Sequence, residues 1–147
     1  VWAALGGATR TTTVYLSATY LDWARRNFEL NGLHGSKHAL VRADCRQWLA
    51  QARDSYDLIF LDPPTFSNSK RMDGILDLQR DHVALLRQTA RLLTPAGVIP
   101  FSTNQRNFRL DRAGLPELAF EDWSRRTLPP DFARDPKIHR CWRISRL

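Results

Sequence analysis

The run Tyr56-Asp57-Leu58-Ile59-Phe60-Leu61 stops abruptly at Asp62-Pro63-Pro64, and no other stretch constrains the fold as strongly. A segment this apolar predicts a strand buried on both faces of a parallel sheet. Two consecutive prolines stiffen the chain as it leaves the strand, and each holds the residue before it extended. Asp62 and the carbonyls of Pro63 and Pro64 are thereby fixed at the edge of the sheet, with Phe66 placed to stack on a planar ligand. The plain alternative is a rigid turn closing a core strand.

Strands and helices alternate around that run. Residues 11–16 predict a strand, and Ser17 is a candidate N-cap for a helix over 18–30 that stops at Asn31-Gly32. Residues 38–43 predict a strand, 46–53 a short helix, and 75–93 a long helix closed by Thr94-Pro95-Ala96-Gly97. The strand at 98–102 contains Pro100, which removes a ladder donor and predicts a bulge or a sheet edge. A loop at 103–112, a strand or helix start within 117–127 and a closing strand from residue 138 complete the pattern. The expectation is an α/β fold, a doubly wound sheet in a single domain over residues 1–147. Ligands of such sheets sit beyond the carboxyl ends of the strands. That singles out Tyr15, Ser17, Asp44, residues 62–66 and residues 103–107.

Composition narrows the function classes. The 147 residues are 43% hydrophobic and 25% charged, as one soluble domain requires. No apolar run approaches the roughly 20 residues of a membrane span. Two cysteines and four scattered histidines give neither a disulfide framework nor a zinc spacing, so no metal is expected and a reducing, cytoplasmic compartment is favoured. The net charge of +7 comes from 19 arginines and three lysines against 15 acids. Arginine forks onto phosphates and stacks on bases, so the excess suits nucleic acid; otherwise it is a solvated surface. Basic residues gather late in the chain, where Phe108, Phe132 and Trp142 are interleaved. These aromatics either stack on unpaired bases or belong to the core.

Asp62-Pro63-Pro64-Thr65-Phe66-Ser67-Asn68-Ser69-Lys70-Arg71-Met72 resembles the signature of Rossmann-like, S-adenosylmethionine-dependent RNA methyltransferases. The likeness is nearest to the guanine-N7 half of the bacterial bifunctional enzymes that methylate 23S rRNA at guanine N2 and N7. Leu5-Gly6-Gly7-Ala8, Trp23-Ala24-Arg25-Arg26-Asn27, Ala43-Asp44-Cys45, Gln79-Arg80-Asp81-His82 and Asp131-Phe132-Ala133-Arg134 support it. The resemblance implies S-adenosyl-L-methionine as cofactor and 23S rRNA as partner. It assigns Asp44, with Cys45 beside it, to the adenine amine, although Asp44 is also a candidate helix N-cap. It places Asp62, Pro63, Pro64 and Phe66 between methyl donor and target base, and gives RNA phosphates to Lys70, Arg71 and Arg80. Arg106 and Arg109 are further RNA candidates by charge.

Two departures from the family follow. Val1–Leu5 with Gly6-Gly7 reads as the tail of a helix, so the family's first strand, central in its sheet, is expected to lie upstream in a longer polypeptide. Tyr15 stands where the family has a carboxylate that takes both ribose hydroxyls. A phenol cannot make that contact, at a cost of about 1.5–3 kcal/mol, unless Tyr15 is simply a packed strand aromatic.

Cytosine C5 methylation requires a cysteine thiolate that adds to the ring. Cys45 follows the cofactor-side Asp44 and Cys141 lies within the last strand, so neither is placed for attack. Guanine N7 already carries a lone pair and has no proton to lose. It needs in-line placement and polar groups that read the base edge, for which Asp62 and Asn104 are candidates. Methylation of an exocyclic amine, and an inactive RNA-binding remnant, stay open as alternatives.

Overall fold

The structure, a computed structural model, describes residues 1–67 and 74–147. Lys70 and Arg71 lie outside the described residues. The chain divides into two compact units, residues 1–51 and the described residues from 52 onward.

The first unit runs α1 (Trp2–Leu5), β1 (Thr11–Tyr15), α2 (Ala18–Leu30), β2 (His38–Arg42) and α3 (Cys45–Gln51). β1 and β2 are parallel, in register from Thr11↔His38 to Tyr15↔Arg42. Parallel neighbours need a crossover, and α2 supplies it. Leu21, Phe28 and Leu49 form the buried apolar centre. Ser17 occupies the N-cap position of α2 with extended backbone, but its hydroxyl makes no capping bond, against expectation. The stop at Asn31-Gly32 is as anticipated. Gly32 takes φ of +66°, which only glycine adopts cheaply, and Leu33 donates its N–H back to the Phe28 carbonyl.

The second unit holds β3 (Tyr56–Leu58), β4 (Phe66–Ser67), β5 (Leu76–Asp77), α4 (Leu78–Ala90), β6 (Leu93–Thr103), β7 (Leu118–Asp122), α5 (Ser124–Thr127) and β8 (Arg140–Arg146). Its main sheet has the order β3-β6-β8-β7, with β3 parallel to β6 and β8 antiparallel to both β6 and β7. Leu78, His82, Leu85, Leu86, Thr89 and Ala90 make one buried face of α4 at helical spacing. Ile99, Phe101, Phe108, Leu115, Trp142 and Ile144 form the centre of the core.

Three expectations are corrected here. Of the strand expected over 56–61 only Tyr56–Leu58 is continuous strand, its register against β6 shifts between Tyr56 and Leu58, and it lies at the edge of the sheet, with Leu58 54% and Phe60 67% exposed. Pro100 sits in a central strand with a regular β6–β8 register, not at an edge. Its effect falls on the other side: Ile59 N–H bonds to the Val98 carbonyl and Leu61 N–H to the Pro100 carbonyl. The intervening bond, from residue 100 to the Ile59 carbonyl, has no donor because proline lacks one. The helix expected over 75–93 begins only at Leu78, because residues 76–77 pair with β4. It ends at Ala90, because Thr94-Pro95-Ala96-Gly97 belongs to β6. At Gly97 an added Cβ would lie 2.8 Å from the Tyr56 carbonyl oxygen, so glycine permits the close approach of β3.

Candidate functional site at the carboxyl ends of the strands

In the first unit, Tyr15 ends β1 while Asp44 and Cys45 follow β2, so the parallel register brings these residues to one edge. The Ala43 N–H donates to the Tyr15 carbonyl at 3.3 Å. Asp44 is buried, and its Oδ1 accepts the N–H of Arg46 at 2.8 Å. It therefore caps α3, as one of its two sequence readings anticipated. Tyr15 is 46% exposed and meets Tyr20 edge-on at 5.3 Å, and Tyr20 meets Trp23 in the same way at 5.2 Å. Tyr15 is thus a surface aromatic, not a packed one. The Cys45 sulfur lies 3.5 Å from the Val14 carbonyl. Its thiol is pushed up, first by desolvation and then by the Asp44 carboxylate.

In the second unit, the ends of β3 and β6 meet. Leu61 bridges to Phe101, and Ser102 N–H donates to the Leu61 carbonyl. The Ser102 hydroxyl donates to Oδ1 of Asp62 at 2.7 Å. Asp62, Pro64 and Phe66 are exposed, Phe66 by 57%, and Pro63 is half-buried. Asn104 leaves the end of β6 exposed at the same edge. Burial first, with the Asp62 charge as a smaller contribution, pushes the Cys141 thiol up. Both thiols are thus held away from the thiolate that covalent attack on a cytosine ring requires.

The basic candidates divide. Arg80 is paired with Asp81 at 2.6 Å and bonds the Ile75 carbonyl. Arg106 is paired with Asp135 at 2.6 Å. Their charge is engaged within the protein, whereas Arg109 is exposed and has no ion pair among the described residues. Phe108 and Trp142 are core residues, and of the three interleaved aromatics only Phe132 is exposed, by 50%.

Ser102, Gln79 and His82 were not singled out for the roles that they take. Gln79 donates to the Arg109 carbonyl at 3.0 Å and accepts the Arg109 N–H at 2.9 Å. Nε2 of His82 accepts the Asp111 N–H at 3.0 Å, which leaves Nδ1 as donor to the Gln79 carbonyl at 2.9 Å. One face of α4 thereby fixes the backbone of the loop that follows Asn104. Gln79 and His82 fall within the helix expected over 75–93, but their partners 30 and 29 residues away are not legible in the sequence.

Parallel strands with helical crossovers, an antiparallel pair at one side and polar residues at the carboxyl ends define a Rossmann-like methyltransferase fold. The particular likenesses are to solved structures. SMU.776, described as a candidate methyltransferase and solved in complex with SAH, is 27% identical with a TM-score of 0.79. A protein from Streptococcus mutans, described as a candidate SAM-dependent methyltransferase, is 26% identical with a TM-score of 0.73. Each match covers 97% of this chain and 40% of the other. TrmN from Thermus thermophilus matches over 99% of this chain and 39% of its own, at 22% identity and a TM-score of 0.65. The chain thus spans two-fifths of the length of the first two. No protein-family model matches the sequence.

Proposed function

We propose that this chain is part of an S-adenosylmethionine-dependent methyltransferase acting on guanine N7 in 23S rRNA. The observation that carries the reading is the junction of β3 and β6. It presents Asp62, steadied by Ser102, beside the Pro63-Pro64 turn and the exposed Phe66, on the edge that also carries Asn104. The two neighbours above 25% identity, one of them complexed with SAH, support the cofactor. A neighbour described as a candidate rRNA methylase from Clostridium thermocellum, 8% identical with a TM-score of 0.60, supports the fold alone.

The donor set of the first unit fits the adenosine half of the cofactor in part. Asp44 offers a carboxylate at the end of β2, and Tyr15 offers an exposed ring at the end of β1 where two ribose hydroxyls want a carboxylate. When bound, the cofactor supplies an electrophilic methyl group on a sulfonium. Asp62, an acceptor, suits the donor edge of guanine, and the Asn104 amide offers both a donor and an acceptor. Phe66 supplies an apolar face for the ring, and the two prolines keep the turn from yielding. No residue need remove a proton, since N7 has none.

Cytosine C5 is disfavoured by the two raised thiols, neither of which is placed beside Asn104 in sequence. Exocyclic amine methylation would use the same turn, and the identity of the methylated nucleoside separates it from N7. Calorimetric titration of the folded chain with S-adenosylmethionine tests the cofactor. Saturable heat is expected, with Tyr15→Asp binding about tenfold or more tighter than the parent chain. No heat from either folded protein would overturn the reading.

A further inference from the structure

A basic notch of about 320 Å³ opens at the carboxyl end of β7, lined by Asp122, Ser124, Arg125, Leu128, Lys137 and Arg140, with Pro136 beside Lys137. We propose that it holds a backbone phosphate of single-stranded RNA, a substrate subsite that rests on the methyltransferase reading above.

The notch carries three cations against one carboxylate, and that carboxylate is already engaged. Asp122 Oδ1 accepts the Ser124 N–H at 2.8 Å; the Ser124 side chain first, then this N–H and the Arg140 and Arg112 charges, hold the Asp122 carboxyl below its usual range against the opposing effect of burial. Arg125, Lys137 and Arg140 have no ion pair among the described residues, unlike Arg25, Arg80, Arg87 and Arg106. The Nε–H of Arg140 is moreover buried without an acceptor among the described residues. A buried N–H without an acceptor is costly, and the half-buried Arg140 side chain lines the notch, where its charge favours an anion. The size is at the small end of the roughly 300–1,000 Å³ common for ligand pockets, which suits one nucleotide rather than a protein surface.

Position selects RNA among anions. Arg140 lies opposite Thr103 in the β6–β8 register, one residue from Asn104 and beside the strand end where Ser102 holds Asp62. The notch is therefore at the same sheet edge, within the same unit, as the residues proposed to meet the target base. The segment that supplies Pro136 and Lys137 also exposes Phe132, a ring available to an unstacked base. Phosphate contacts fix the register of the nucleic acid, while base contacts specify the site.

The test is binding of a short fluorescein-labelled single-stranded RNA, followed by anisotropy across a salt series. Arg125→Ala with Lys137→Ala, both at exposed positions, should weaken binding about tenfold and lower the salt slope by about 0.7 per contact removed. Arg10→Ala with Arg26→Ala makes the same charge change in the first unit and should do neither. Melting followed by circular dichroism confirms that all variants are folded. Equal losses in both double variants, no loss in either, or no RNA binding by the parent chain would each overturn the proposal. Saturation of the notch by inorganic phosphate, with RNA affinity unchanged in the notch variant, would identify a free-anion site and overturn it as well. S-adenosylmethionine binding, measured separately, should be unchanged in the notch variant. Its absence from the parent protein would refute the methyltransferase reading while leaving the RNA result to stand or fall on its own.

Discussion

Asp44 shows how one side chain can serve the fold and a ligand at once. Its Oδ1 caps α3 through the Arg46 N–H, so its place at the end of β2 is set whether or not a ligand is bound. Asp44→Asn keeps an oxygen for the cap but removes the charge. The substitution should leave the melting temperature near that of the parent and weaken S-adenosylmethionine about tenfold to a hundredfold. Asp44→Ala should also cost about 1 kcal/mol of stability through the lost cap. Melting curves beside calorimetric titrations check both, and an Asp44→Asn protein of unchanged affinity would leave Asp44 with the cap alone. Asp62 was legible from the sequence because prolines declare a fixed turn locally. Ser102, its hydrogen-bond partner, was not, because 40 residues separate them and only parallel pairing of β3 with β6 brings them together. The same holds for His82, whose imidazole reads as an ordinary helix residue until Asp111 is packed against it.

Elements with a local signal were read correctly, and those governed by neighbours were not. α2 carries its own periodicity and its own glycine stop, and both survive in the structure. The expected start of α4 lies three residues early because Ile75 and Leu76 are apolar residues next to the helix, yet Leu76 and Asp77 pair with Phe66 and Ser67. Asp77 then begins the helix: its Oδ1 accepts the Arg80 N–H at 3.2 Å, and Asp81 accepts the Asp77 N–H at 3.0 Å. Asp77→Ala should therefore cost about 1 kcal/mol. Denaturant unfolding checks this, and a loss below a few tenths of that figure would mean that packing of α4 alone defines its start. Burial on both faces of β3 failed as an expectation because burial is a property of what covers a strand. Leu58 and Phe60 are apolar, but β3 is the edge of its sheet. Pro100 reads as an edge signal, and its missing donor does disturb pairing, but only on the β3 side of a central strand.

At the scale of the whole molecule, sequence and structure agree on the fold and divide the chemistry between two sheet edges, each described within its own unit. The net charge of +7 is unevenly available: Arg80 and Arg106 are paired internally, while Arg125, Lys137 and Arg140 meet around one notch. Total charge was readable in the composition. Which cations remain free was not, because it depends on acids brought close only by folding. The central claim is methyl transfer to guanine N7, and its most direct test is transfer of labelled methyl from S-adenosylmethionine to protein-free 23S rRNA. Digestion to nucleosides and mass spectrometry then identify the product. The account predicts 7-methylguanosine, retained by a Cys45→Ser, Cys141→Ser protein and lowered about tenfold or more by Asp62→Ala or Phe66→Ala in folded protein. Label in 5-methylcytosine or in an exocyclic-amine product, or no transfer by a folded chain that binds the cofactor, would contradict it.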